Sequence, residues 1–321
     1  MAEPIPLEAS FRDPAGYVFQ HENRFYRLIR KSYQPHYEKL VFSGLLDLLQ
    51  EKQLLLSHKE TAGNFAPEQE TYKILEPQQL PIVTYPFEWS FSQLKEAALL
   101  TLQIQKEAIE KGMSLKDASA YNIQFIGYKP FFIDILSFES YKEGEPWTAY
   151  RQFCSHFLAP LALMSKTDIS LNQLLQTNLD GIPLPLASKL LPKSSYLNVG
   201  LVLHLHLHSK AQKNLAASYN AKSVKKFSTG ALIQLISSLQ NCISGLEWQP
   251  DKTTWGNYYN ETNYSSTSMA QKEALVKQFL TQVKSKVILD LGANNGRFSQ
   301  IAANVAPVVV SADIDPVAVE E

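Results

Sequence analysis

Hydrophobic positions change their spacing several times along the chain. Between residues 10 and 32, Val18, Phe25, Tyr26 and Leu28 lie among polar residues, after an Asp13-Pro14-Ala15-Gly16 turn, which predicts extended chain. Over residues 35–56, Tyr37, Leu40, Val41, Leu45, Leu48 and Leu49 recur at helical spacing. A polar stretch from Ser57 to Thr71 reads as a loop, and Tyr72 to Leu75 and Leu80 to Tyr85 as short extended pieces. Ser90 suits a helix N-cap, Phe91 to Lys111 is amphipathic, and Gly112 is placed to end that helix. Tyr121 to Ile126 and Pro130 to Ile135 predict two strands joined at Gly127. From Pro146 to Leu246 the pattern is helical, interrupted by prolines at 160, 183, 185 and 192.

Residues 247–267 are polar and aromatic without a period and read as a linker or as a loop docking one domain onto the next. A helix over 268–283 follows, then a strand from Lys286 to Leu291, a helix from Gly296 to Val305 and a strand from Val308 to Ala312. Strand, helix, strand at this spacing is a βαβ unit, which favours a parallel sheet. The pattern divides the chain into an extended and helical lobe (1–88), a mostly helical lobe with a hairpin (89–248), a linker (249–267) and a final βαβ segment (268–321).

Composition narrows the class. With 321 residues, 45% hydrophobic and 19% charged, the chain can bury cores for about two domains. Thirty basic against 31 acidic residues leave a net charge of -1, so no global field draws it to nucleic acid or anionic lipid. Cys154 and Cys242 are too few for a disulfide framework or a four-thiolate zinc site, and Cys154 sits in an apolar helical run as a core thiol. The start lacks the basic-then-apolar order of an export signal, and no apolar run approaches membrane-spanning length. A soluble, reduced, cytoplasmic protein is expected, so the sequons at Asn260 and Asn263 are read as chance.

The clearest chemistry is Asp290-Leu291-Gly292-Ala293-Asn294-Asn295-Gly296, between the predicted strand and helix. Glycines at such a turn let a ligand approach the backbone, and a helix start offers N–H groups and a positive dipole end. The second strand ends at Asp313, placed to accept from ribose hydroxyls. This run resembles motif I of class I S-adenosylmethionine-dependent methyltransferases, with Asn294 where the motif has its middle glycine, and Ser311 to Glu321 resembles their second motif. The resemblance implies that Asp290, Gly292, Asn294 and Gly296 face the methionine part of S-adenosyl-L-methionine. It also implies that Asp313 holds the ribose and Ile314 packs on the adenine. Such folds have a seven-stranded sheet, and this chain stops soon after the second strand. The resemblance therefore implies a truncated methyltransferase domain, from a truncated, split or cut gene, with weak or absent cofactor binding and no turnover; where the gene is split, a separate chain is the partner that completes it.

A second constellation lies upstream. Asp117 and Asn122 have the spacing of the D-x-x-x-x-N catalytic loop of protein kinases and related phosphotransferases, and Asp134 follows the hairpin where that fold places a metal-binding Asp. The region resembles a kinase-like fold of the aminoglycoside-phosphotransferase style. That resemblance makes Asp117 the base and Asn122 and Asp134 the Mg²⁺ ligands for Mg-ATP. The histidine of H-R-D is absent, since Leu115-Lys116 precedes Asp117, and no glycine-rich loop stands upstream; Lys31, Lys39 and Lys73 are candidates for the phosphate lysine. A non-catalytic region that binds a substrate or partner is the alternative. The fold expected is thus α/β: a kinase-like α+β N-terminal region, then the first βαβ unit of a Rossmann-type methyltransferase sheet.

The segments DASAYNIQF, FIDILSFE, PWTAYRQFC and DLGANNGRFS together resemble bacterial methyltransferases of the nodulation host-specificity type, over nearly the whole chain. The methyl acceptor is not implied. Among weaker signals, His204, His206 and His208 alternate with leucines; on a strand they would share a face fit for a metal, and on a helix only His204 and His208 would. Trp255, Tyr258, Tyr259 and Tyr264 read as packing or cleft aromatics, and Lys222, Lys225 and Lys226 as a solvated basic face.

Overall fold

A computed structural model describes residues 3–10, 13–61, 69–209, 228–250, 253, 255–256, 258–259 and 264–320. Lys222, Lys225, Lys226 and the sequons Asn260 and Asn263 lie outside them. The chain forms two compact units, Met1–Trp89 with Gln93–Glu247, and Ser90–Ser92 with Trp248–Glu321.

The first unit opens with strands β1 (Ile5–Pro6), β2 (Gly16–His21) and β3 (Arg24–Arg30). Helices α1 (Gln34–Phe42) and α2 (Leu45–Glu51) follow, then β4 (His58–Thr61) and β5 (Thr71–Pro77). The five strands make one antiparallel sheet in the order β1-β2-β3-β5-β4. Phe19, Tyr26, Leu28 and Ile74 form the core on one of its faces. Two expectations change here. The single helix over 35–56 is two, because Gly44 takes φ 71° between them, a conformation that glycine adopts without strain. The polar stretch from Ser57 contains β4, whose HKET sequence has no fully buried side chain and is held by backbone pairing to β5.

Helix α3 (Phe91–Glu110) follows, with Leu94, Ala97, Ala98, Leu102 and Ile104 buried. Gly112 lies just beyond it at φ 71°. Strand β6 (Met113–Leu115) pairs with β9 (Phe138–Ser140), and β7 (Ile123–Ile126) with β8 (Lys129–Phe132) around Gly127. This hairpin is joined to the chain after α2: Leu56 N–H donates to the Phe132 carbonyl at 2.8 Å, and Phe132 N–H to the Leu54 carbonyl at 2.9 Å. The Tyr33 hydroxyl, after β3, donates towards the carbonyls of Ile135 (3.0 Å) and Phe138 (2.6 Å).

The helical remainder of the unit comprises α4 (Tyr150–Phe153), α5 (Ala159–Lys166), α6 (Leu174–Thr177), α7 (Leu184–Leu190), α8 (Val199–Leu201) and α9 (Thr229–Ser244). Two π-helical turns interrupt the α-helical winding, Cys154–Leu158 after α4 and Val202–His206 after α8. Among the described residues, no helix is long and apolar enough to cross a membrane.

The second unit contains α10 (Ser266–Val283), β10 (Val287–Leu291), α11 (Arg297–Ala303), β11 (Val308–Ala312) and α12 (Pro316–Glu320). Strands β10 and β11 pair in parallel, from Val287 opposite Val308 to Leu291 opposite Ala312, with α11 as the crossover. The Ser265 hydroxyl accepts the Ser268 N–H and caps α10.

Candidate functional site

In the first unit, Asn122 and Asp134 are joined through Ser137, and Asp117 lies within electrostatic reach of Asp134. Asp117 lies just after β6, and its Oδ1 accepts the Ser119 N–H (2.9 Å) and Gln152 Nε2 (3.0 Å). Gln152, on α4, also accepts the Ala118 N–H at 2.8 Å, so one carboxamide fixes this loop at two points. Residues Ala120–Asn122 wind into a 3₁₀ turn, a more regular structure than the open loop expected, because the Ser119 hydroxyl caps it. Asn122 Nδ2 donates to the Ser137 hydroxyl at 3.1 Å, and that hydroxyl donates to Asp134 Oδ2 at 2.6 Å. Asp134 stands beyond the end of β8 rather than on it, and its Oδ1 caps a 3₁₀ turn through the Leu136 N–H. Burial and the Asp134 charge hold the Asp117 carboxyl above its usual pKa range, against the two donors it accepts from.

Two cations stand among these acids, Arg27 from β3 and Lys116. The Arg27 guanidinium is 2.5 Å from Asp134 Oδ1 and 3.8 Å from Asp13 Oδ2. Lys116 lies 3.9 Å from Asp13 Oδ1 and 5.3 Å over the Tyr33 ring. Of the candidate phosphate lysines, Lys73 is paired with Glu60 at 2.5 Å, where the side chains of both are well exposed. The Lys39 ammonium lies near Gly112, and the Lys31 N–H bonds the Glu70 carbonyl. The sequence reading passed over Arg27; its signal was a cation flanked by the apolar Tyr26 and Leu28 on a strand.

In the second unit the glycine-rich turn and Asp313 meet. Gly292, Asn294 and Gly296 have φ of 72°, 52° and 81°. Left-handed backbone is open to glycine and tolerated by asparagine, so Asn294 fits between the two glycines of this turn. The Gly292 and Ala293 N–H groups donate to the Ala312 carbonyl at 2.8 and 3.1 Å. Asn294 N–H donates to Asp313 Oδ2 at 2.7 Å, and Asp315 N–H to Asp313 Oδ1 at 2.8 Å. Each carboxylate oxygen keeps a further acceptor site. Asp290 accepts the Ser299 hydroxyl at 2.7 Å, and Ile314 is 94% exposed.

The aromatic stretch before α10 reaches the same turn. Asn294 Nδ2 donates to the Trp255 carbonyl at 2.7 Å, and the Arg297 guanidinium lies 5.2 Å over the Tyr259 ring while bonding Glu273 at 2.6 Å. Burial raises the Tyr259 pKa, Arg297 lowers it, and the carboxylates of Asp290 and Asp313 raise it. Tyr259 is thus within electrostatic reach of both acids.

The three histidines lie on a helix. His204 and His208 both face the Tyr150 ring, at centroid separations of 6.1 and 5.1 Å. His206 turns to the hydroxyls of Ser188 (2.8 Å) and Ser195 (2.9 Å) and stacks on Tyr196. Cys154 is fully buried.

These elements define a mixed α/β chain carrying a cluster of acids paired with Arg27 in one unit and a glycine-rich strand-to-helix turn in the other. No model of a known protein family matches it. It is 33% identical over 334 residues to nodulation protein NoeA of Rhizobium meliloti (strain 1021), a match spanning 99% of this chain and 69% of that protein. The chain belongs to the NoeA family. Among solved structures, that of vaccinia related kinase 3 is similar with a TM-score of 0.36 and 11% identity, over 74% of this chain and 86% of that one.

Proposed function

We propose that the second unit is the S-adenosyl-L-methionine site of a methyltransferase. The observation that carries this reading is Asp313, which ends the second of two parallel strands and receives the Asn294 N–H from the adjoining turn. A side chain at Gly292 would meet no atom within 4 Å, so the turn leaves room for a ligand against its backbone. Gly292, Asn294 and Gly296 would line the methionine moiety, with Asp290 behind them. Asp313 would accept from the ribose hydroxyls, and the exposed Ile314 side chain would give the adenine an apolar surface. When bound, the cofactor supplies an electrophilic methyl group. The protein's part is to bind and orient, and Asp290 is fixed for that by Ser299. Isothermal titration of S-adenosyl-L-methionine tests the reading. Weak binding is the expected result, as the resemblance implies, and in a chain that carries the rest of such a sheet Asp313→Ala should weaken it by about 1–3 kcal/mol. Affinity unchanged by that substitution sinks the assignment.

For the first unit, the Arg27–Asp134 pair supports a non-catalytic kinase-like region over an active phosphotransferase. A metal ligand must turn its oxygens to the ion, and Asp134 Oδ1 already has both lone pairs taken, by Arg27 and the Leu136 N–H, which leaves only Oδ2, itself bonded to Ser137. This region then serves to bind a substrate or partner.

A further inference from the structure

A third polar arrangement lies apart from both sites, in the helical part of the first unit. A cavity of about 600 Å³ opens between the start of α8 and the side of α9, bordered by Asn198, Gly200, Ser237, Ser238, Asn241 and Cys242. Ser238 Oγ, on its wall, is 2.8 Å from His204 Nε2. His204 Nδ1 is in turn 2.8 Å from the Tyr150 hydroxyl. Tyr150 is also hydrogen-bonded to Cys154, so one chain of groups runs from the cavity into the core. His204 has no exposed surface, whereas Ser238 is only partly buried.

The helices are wound unusually at this place. His204 sits within the π turn Val202–His206, and the π turn Cys154–Leu158 begins shortly after Tyr150. Such turns cost backbone regularity and recur at functional sites. One of them carries the His204 ring, and the other follows the short helix that carries the Tyr150 phenol.

We propose that Ser238 is a nucleophile for acyl transfer, with His204 as its base, Tyr150 as the group that fixes the imidazole, and a small activated ester or thioester as substrate. The order of hydroxyl, imidazole and orienting group is the one that activates a serine. With Nδ1–H donating to the Tyr150 oxygen, and the tyrosine hydroxyl donating to Cys154, Nε2 is left to accept from Ser238. Burial and the neighbouring His208 hold the His204 pKa at about 4, so the ring is neutral at neutral pH and its Nε2 lone pair is available to the Ser238 hydroxyl.

The step balances with water alone. Ser238 Oγ bonds the acyl carbon while its proton moves to His204 Nε2. The bond from acyl carbon to the leaving oxygen or sulfur breaks, and the leaving group takes that proton as an alcohol or thiol. Water, deprotonated by the same nitrogen, then releases the carboxylic acid and restores Ser238. The carboxamide-bearing Asn198 and Asn241 border the cavity for the developing oxyanion.

An alkyl fluorophosphonate, which phosphonylates activated serines, tests the proposal on the full chain. The expected result is one adduct, mapped by mass spectrometry to the peptide containing Ser238 and absent from Ser238→Ala. His204→Gln should slow labelling by about 100-fold or more, and Tyr150→Phe should slow it less while Ser238 stays the labelled residue. No adduct, or an adduct at another residue, overturns the proposal. The position of the adduct in the unsubstituted chain decides the matter even where a variant does not fold.

Discussion

Arg27 and Asp134 stand 107 positions apart in the chain and meet at 2.5 Å, joining the sheet of the first unit to the turn after its hairpin. Both side chains are mostly buried, each at 17% exposure. Removing one partner of such a pair strands the other charge, which costs more than the pair contributes. Arg27→Met is expected to lower stability by about 3 kcal/mol, read as a drop in the urea midpoint. The double variant with Asp134→Asn should recover most of the loss. If Arg27 holds the place a metal would need, Mg-ATP leaves the melting temperature of the unsubstituted chain unchanged; a clear rise would restore the phosphotransferase reading.

Acid should destabilise the first unit through its histidines. Burial lowers His156 and His204 to about 4, and burial shifts His36, His58 and His208 in the same direction. In the unfolded chain these rings protonate near 6.5, so the unfolded state binds more protons between the two values. Their contribution is complete above about pH 6.5 and falls as pH drops towards about 4. His156 alone accounts for about 3 kcal/mol of that fall. Urea unfolding at successive pH values should show the slope, and His156→Asn should flatten it.

The turn after β10 makes a local prediction. Asn294→Gly keeps the left-handed backbone and gives up only the bond to Trp255, a loss of about 1 kcal/mol. Asn294→Val gives up the same bond and adds about 1–2 kcal/mol of backbone strain. Thermal melts of the two variants, followed by circular dichroism, should rank in that order.

Gly181 has φ 87°, and a Cβ there would sit 2.7 Å from Ser155 Cβ and 2.8 Å from the Ser155 carbonyl carbon. These atoms belong to the π turn after α4, which cannot give way without moving His156. Gly181→Ala is expected to cost about 2–4 kcal/mol, seen as a fall in melting temperature.

How much of this was readable follows from the range of each interaction. The turn from Asp290 to Gly296 and the two strands around it are local, so glycine placement and apolar runs declared them. The link from Asn122 through Ser137 to Asp134 spans few residues and was foreseeable in outline. Arg27 was not, because nothing near it in sequence says that a carboxylate after a distant hairpin will face it. Strand β4 was hidden because its partner supplies backbone hydrogen bonds, which leave no mark on side-chain pattern. The π turns were hidden for a related reason: one extra residue per turn barely disturbs a helical period. One of them carries His204, whose bonds to Tyr150 and Ser238 join three separate helices, and the local pattern around Ser238 gives no sign of that.

The bonds between Leu56 and Phe132 and between Phe132 and Leu54, with the two Tyr33 carbonyl contacts, cross from the sheet side of the first unit to its hairpin. A cleft that opens and closes on a hinge needs a seam with few such crossings. Here the seam is sewn by backbone pairs on one side and by the Arg27 ion pair on the other. Parting the two halves would break all of these together, so the motion is coupled to unfolding rather than to ligand exchange. A substrate or partner of the kind proposed for the first unit would meet a surface held by these bonds.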